Sequence, residues 1–305
     1  MTTLKGQNFR IYAIPTEAHS YPVCVGMATN CVVTLTNNTE ESSTKDDTGM
    51  GAKPTMTSQG WSVQVESLDV SDAGIMLTAI KSLQKFTLIW DESSTTDNQT
   101  GQKAAFARKG EAYCNDLTLG FNDRENSTKN LQFTGTGPLV TLEQSDVEGT
   151  SSVNTYTKGQ FVRLLLSSDN TTAPAKVIAA AKLLSLHVSM TLESATTKDT
   201  TGSWDVQEPT ALNYDITTSA LVRSGDTIAS SVQAQSLSDL ESIYEAGTPV
   251  KWKIANVSGD NNRTAGSVIV SGSALLTQLT ITAASRQNAT YDATLSGYGD
   301  YTVES

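Results

Sequence analysis

The sequence predicts a mainly β protein built as two tandem copies of one domain. Three observations carry that prediction. Apolar residues alternate with period two through most of the chain, clusters of Ser, Thr, Asn, Asp and Gly separate the alternating runs, and the chain matches itself at a fixed offset. The 305 residues are 38% hydrophobic and 17% charged, enough apolar matter for a packed core in one large β domain or two ordinary ones.

The repeat sets the organisation. KGQNFRIYAI from Lys5 and KGQFVRLLLS from Lys158 stand 153 residues apart. At that offset EESSTKDDTG and ESATTKDTTG align without a gap. Glu40 meets Glu193, Thr44 meets Thr197, Lys45 meets Lys198, Asp46 meets Asp199, Thr48 meets Thr201 and Gly49 meets Gly202. Trp61 then meets Tyr214, Val63 meets Ile216 and Leu68 meets Leu221. Further on the offset becomes 162, pairing Trp90 with Trp252, Gly110 with Gly272, and Gly135 and Gly137 with Gly297 and Gly299. Residues 1–142 and 155–305 are therefore expected to be the two domains. The polar, Ser- and Thr-rich stretch 143–154 is expected to link them.

Within each copy the elements follow in order. Strands are expected at 61–68, 86–90, 116–121 and 130–135, and again at 214–221, 250–254, 267–272 and 276–283. One helix per copy is expected. The first covers 71–83, with Ser71 as N-cap and Met76, Ile80 and Leu83 on one face. In the second, Ser238 and Glu241 have capping-box spacing, Leu240, Ile243 and Tyr244 follow, and Gly247 closes the end. The polar stretches 36–60 and 191–213 exceed a hairpin turn and read as long loops. Retention of the TKD and TG residues in both copies marks those loops as interaction elements.

Composition removes several function classes. Lys plus Arg is 21 and Asp plus Glu is 32, a formal charge of −11, so the overall basic footprint of a nucleic-acid-gripping protein is missing. The longest apolar stretch, Val177 to Leu186, is broken by Lys182 and Ser185 and does not span a membrane. The first twenty residues lack the apolar segment of a secretory signal, which argues for maturation in a cytoplasm. Cys24, Cys31 and Cys114 are an odd number without repeated spacing and read as small buried hydrophobes. His19 and His187 are too few for a histidine-rich metal site or a triad. The acid pairs Glu40–Glu41 and Asp46–Asp47 sit side by side, not across a pocket. No glycine-rich phosphate loop or nucleophile elbow occurs, so no enzyme, metal or cofactor is expected.

Taken together, the KGQ start, the E-x-x-x-T-K-D-x-T-G end of a polar strand, the Trp/Tyr strand, the helix, the Trp-bearing strand and the final G-x-G strand resemble major tail tube proteins of tailed bacteriophages. ATNCVVTLTNNTEESSTKD (28–46) carries the resemblance most clearly, with AKLLSLHVSMTLESATTKD (181–199) as its diverged twin. The resemblance implies a domain of two packed antiparallel sheets, a sandwich or half-barrel, with one flanking helix and a long loop. Six such domains join inner sheets around a pore, so a two-domain chain of siphophage type implies a trimeric, pseudo-hexameric ring. The residues aligned above, from Glu40 to Gly49 and from Glu193 to Gly202, then resemble the loop that reaches neighbouring subunits and rings.

The implied partners are further copies of the chain, a tape measure protein, and tail terminator or distal tail proteins. DNA would pass the lumen without specific binding, and no membrane is engaged. The implied location is the virion tail, assembled in the host cytoplasm. A negative wall repels phosphates and offers no cation for counterion release. Glu66, Asp116 and Asp215, all on expected strands, are candidate wall acids. The alternative is a pair of β-sandwich modules that bind a glycan or receptor, as in an adhesin. Low aromatic content speaks against it, since sugar platforms need exposed Trp and Tyr.

Overall fold

The computed structural model describes residues 4–16, 23–48, 51–68, 70, 72–94, 100–143, 146, 157–178, 180–200, 202–222, 234–258 and 264–304. The architecture is mainly β. The first half opens with a 3-10 turn (Gly6–Asn8) and continues as β1 (Phe9–Pro15), β2 (Val23–Cys24), β3 (Ala28–Glu41) and β4 (Pro54–Ser67). Then come α1 (Ala73–Lys81), β5 (Phe86–Glu92), β6 (Arg108–Asn122) and β7 (Thr128–Thr141). The second half opens with its own 3-10 turn (Gly159–Phe161), then β8 (Val162–Leu166), β9 (Lys176–Ile178), β10 (Ala181–Ser194) and β11 (Gln207–Leu221). It ends with β12 (Ala234–Gln235), α2 (Leu237–Ala246), β13 (Val250–Ser258), β14 (Thr264–Thr282), β15 (Thr290–Gly297) and β16 (Thr302–Val303).

Eight strands make one antiparallel sheet in the order β3-β4-β7-β6-β10-β11-β15-β14, four from each half. The register is the same in both sets: Val33, Val63 and Phe133 lie side by side, as do Leu186, Ile216 and Leu295. β6 and β14 each serve two layers. Arg108–Ala112 pairs with β5 whereas Asp116–Asn122 pairs with β10. β14 pairs with β13 as far as Ala274 and with β15 from there on. The second layer therefore runs β5-β1-β2 in one half and β13-β8-β9-β12 in the other, and the sheets stay open.

The core lies between the layers. Trp61 meets Trp90 edge-on at 5.9 Å and Tyr214 meets Trp252 at 5.6 Å. These rings lie on backbone: a Cβ on Gly135 would stand 2.1 Å from Trp61 Cε2, and one on Gly297 2.6 Å from Tyr214 Cε1. The Lys129 ammonium is buried and paired with Asp72, which keeps a desolvated charge from being stranded. At the chain's end the Tyr301 hydroxyl donates to the Leu77 carbonyl of α1 (2.7 Å), tying the second half to the first.

Several expectations need correction. Trp252 does not occupy the place of Trp90. Gly110 lies opposite Leu88 and Gly272 opposite Trp252, so Trp252 stands where Leu88 does, and Ile254 stands where Trp90 does. A two-residue slip keeps the side chain on the same face, so the core pattern alone did not expose it. The segments 267–272 and 276–283 form one long strand, β14, with a bulge between Leu276 and Gln278. The α2 cap is Ser236, not Ser238: its hydroxyl accepts from the Asp239 N–H and the Asp239 carboxylate accepts from the Ser236 N–H. Gly247 closes the helix in the left-handed region, as expected (φ 58°). Asp72 precedes α1 without a capping bond, and Ser71 lies outside the described residues. His19 and most of 143–154 lie outside them too. Cys24 and Cys114 are buried as expected, whereas Cys31, on β3, is half-buried.

Candidate functional site

The polar face of the eight-stranded sheet follows from period-two alternation. β4 buries Trp61, Val63 and Val65 and turns Ser62, Gln64 and Glu66 outward. β6 buries Leu117, Leu119 and Phe121 and turns Asp116 and Thr118 outward. β11 buries Tyr214 and Ile216 and turns Asn213, Asp215 and Thr217 outward. Glu66, Asp116 and Asp215 thus share one face of one sheet. Asp292 on β15 joins them, opposite Ser219. Sequence reasoning missed it, although the alternation of TYDATLSG carries the signal. No Lys or Arg occurs in 30–36, 62–66, 116–122, 130–134, 183–191, 213–219, 278–282 or 292–296, the segments that make this face. A side-chain hydrogen bond crosses it between β10 and β6, His187 Nε2 to Asp116 Oδ2 at 2.7 Å.

That pair marks the joint between halves. Seven residue pairs, from Asp116 opposite Ser189 to Asn122 opposite Leu183, knit β6 to β10. Leu117, Leu119 and Phe121 are buried there beside Val188, Leu186 and Leu184. Backbone bonds extend the joint at both ends. The Ser127 N–H donates to Thr157 O (2.8 Å) and the Gly159 N–H to Glu125 O (2.9 Å). Beyond the other end the Gly137 N–H donates to Asp205 O (2.8 Å), and the Gln207 N–H to Thr136 Oγ1 (3.0 Å).

The expected long loops are shorter than 36–60 and 191–213. Much of each stretch is strand: β3 runs to Glu41 and β4 starts at Pro54, so only 42–53 is loop, and in the second half only 195–206. Ser, Thr and Asn with solvent on both faces show no alternation, which hid these strands. Glu40 sits in β3 opposite Thr55, and Glu193 in β10 opposite Glu208. Thr44, Lys45, Asp46 and Thr48 lie in the first tip, and Thr197, Lys198, Asp199 and Gly202 in the second. Gly49 and Thr201 lie outside the described residues. The first tip is organised by a residue outside the aligned set. The Asp47 carboxylate pairs with the Lys53 ammonium and accepts the Thr44 N–H (2.7 Å), and Lys53 first, then Thr44, hold it below the usual carboxylate range. In the second tip the Thr200 hydroxyl takes over the bond to the Thr197 N–H (2.9 Å).

Among the described residues no group of three or more His, Cys, Asp or Glu is placed to hold a metal, and no helix is long and apolar enough to cross a membrane. A cavity of about 700 Å³ between the halves is lined mainly by apolar groups such as Val70, Ile75, Val162 and Val268, with Glu304 its one charged side chain. Trp61, Trp90 and Trp252 are buried and Trp204 is half-buried, so none of the four indoles is exposed as a platform for a sugar.

Comparison with known proteins adds the following. A family model described as phage tail tube protein matches residues 158–303. Among solved structures the chain is similar to one from the tail of an empty gene transfer agent particle, refined helically with C6 symmetry. Identity is 13% and the TM-score 0.38, over 49% of this chain and 99% of that one. It is also similar to a chain of the virion of a native gene transfer agent particle, at 12% identity and a TM-score of 0.35, over 49% and 99%. None of the curated proteins compared with the chain matches it.

Proposed function

We propose that the chain is a phage tail tube protein, the family whose model matches residues 158–303, and that three copies form one ring of the tube. So read, the protein is a structural, non-enzymatic component of the virion tail, as the match to the tail tube family supports. In this reading residues 1–142 and 155–305 are two tube domains joined by 143–154, and the ring is a pseudo-hexamer of siphophage type. Rings stack into a hollow tube, and the tips around Lys45 and Lys198 make contacts between subunits and rings. Glu66, Asp116, Asp215 and Asp292 face the lumen, along which DNA travels to the host. A tape measure protein, and terminator or distal tail proteins at the ends, complete the partners.

One observation carries the reading: a single sheet, four strands from each half in one order, with an outward face that bears carboxylates and no Lys or Arg in the strand segments that make it. A sheet with two free edges invites pairing, and closure in a ring removes both. Three chains of eight strands would make a 24-stranded barrel. At strand spacings near 4.8 Å and tilts of 35–45° its backbones stand about 45–50 Å apart across the bore, an open channel. Joining two domains in one chain makes every second lateral contact intramolecular, so part of the association entropy is already met.

Negative-stain electron microscopy of the purified chain tests this. Rings or hollow tubes are expected. A monodisperse monomer that binds a glycan array would instead establish the two-module adhesin reading.

A further inference from the structure

The joint between β6 and β10 has a second, unmade counterpart in the same chain. At the repeat offsets, Leu184, Leu186 and Val188 of β10 correspond to Cys31, Val33 and Leu35 of β3. Leu117, Leu119 and Phe121 of β6 correspond to Leu279 and Ile281 of β14 and to Ala283 just beyond it. The first six are buried. Their counterparts are not: Leu35 is 64% and Ile281 50% exposed, and Ala283 is open to solvent. The backbone tells the same story. Among the described residues β3 pairs with β4 alone, and β14 past Ala274 pairs only with β15, which leaves one edge of each without a described partner over the equivalent residues.

Two contacts of the made joint have changed on both sides at once. His187 and Asp116, hydrogen-bonded through their side chains, correspond to Thr34 and Gln278, which are also able to hydrogen-bond. Gln207 and Thr136, N–H donor and hydroxyl acceptor, correspond to Pro54, which has no N–H, and to Tyr298, a 57%-exposed ring. In each case both members differ together, which keeps polar groups facing polar groups and an aromatic ring facing a proline across the two edges. The β3 end and the β14 end are more than 240 positions apart in the chain and share no pairing within it.

We propose that residues 278–284 along the free edge of β14 pair antiparallel with Asn30–Thr36 on the free edge of β3 of a second copy, head to tail. The register is that of the internal joint: Leu279 opposite Leu35, Thr280 opposite Thr34, Ile281 opposite Val33 and Ala283 opposite Cys31. Tyr298 then receives the second copy's Pro54. The interface is heterologous, so a fixed rotation closes it into a ring. The inference rests on the tube reading and deepens it by naming the edges, their polarity and their register.

Disulfide trapping tests it. At the internal joint the Asp123 N–H donates to Lys182 O (2.8 Å), so the alternate pair Thr118–His187 is a non-hydrogen-bonded one. The corresponding Thr34 and Thr280 should bring their Cα atoms to about 4.5 Å, within disulfide range. In a Cys31→Ala background, Thr34→Cys with Thr280→Cys is expected to yield a covalent trimer on mild oxidation. The yield should exceed at least about tenfold that of Leu35→Cys with Thr280→Cys, whose side chains point to opposite faces. A mixing experiment reads the polarity without a disulfide. Leu35→Arg and Ile281→Arg chains are each expected to stay monomeric with native circular dichroism, and to form only dimers when combined, because each retains one intact end. Rings by microscopy without the 34–280 crosslink would overturn the joint and leave the tube standing. Neither rings nor crosslinks would overturn both.

Discussion

Gly135 and Gly297 are places where one hydrogen atom decides the packing. An added methyl at Gly135 would meet Trp61 at 2.1–2.4 Å, and Gly110, across the same ring, leaves it no way to retreat: a Cβ there would already be 2.5 Å from Trp61 Cζ2. Overpacking of this kind costs about 1–3 kcal/mol. Gly135→Ala is therefore expected to lower the unfolding free energy, read by urea denaturation, by that amount. Gly6→Ala, with nothing within 4 Å, should stay within about 0.5 kcal/mol of wild type. The recurrence of these glycines is legible in the sequence, and so is the aromatic pair Trp61 and Tyr214 that they support. The place of the second indole is not. Trp90 and Trp252 are both inward-facing on corresponding strands, and only the ladder to β6 and β14 reveals that they differ by one full strand period.

Local chemistry governs the elements to different degrees. α2 is stopped where Gly247 allows a left-handed residue, and started where Ser236 and Asp239 satisfy each other's backbone N–H groups. Ser236→Ala should cost about 1 kcal/mol. Burial pushes the Asp239 carboxyl up, but the bonds from the Ser236 N–H and hydroxyl outweigh it and leave the group below its ordinary value. A carboxyl lowered on folding stabilises above its unfolded pKa, and that contribution is lost as pH falls through the folded one. The stability gap between wild type and Asp239→Asn, read by chemical denaturation, is expected to be full at pH 7 and to shrink below about pH 4. The serine cluster SLSD offered two spacings, and sequence reasoning took the later one. The arms show a different limit. Strand ends such as Thr36–Glu41 and Pro54–Gln59 have solvent on both faces, so no hydrophobic period announces them. By contrast the outward placement of Glu66 and Asp215 was legible, because they alternate with Val65 and Ile216, which are buried.

At the scale of the whole molecule the decisive quantity is where the charge lies, not its sum. A chain of net charge −11 is ordinary; a sheet face that concentrates four carboxylates, with no Lys or Arg in the strand segments that make it, is not. Closed into a barrel, each ring would present twelve such groups to the axis, three per position. DNA held against cations binds by releasing counterions, with affinity that falls steeply as salt rises. A wall without cations gives no such purchase, and its field keeps phosphates toward the centre of the bore. The charge should then be replaceable without loss of assembly, since Glu66, Asp215 and Asp292 make no ion pair among the described residues. Asp116 is left intact for its bond to His187. Tubes of the triple variant Glu66→Lys, Asp215→Lys, Asp292→Lys are expected to form as the wild type does, yet to retain short duplex DNA at 50 mM salt and release it by about 200 mM. Wild-type tubes should retain none at either salt. Equal retention by both would mean that these side chains do not line the path that DNA takes.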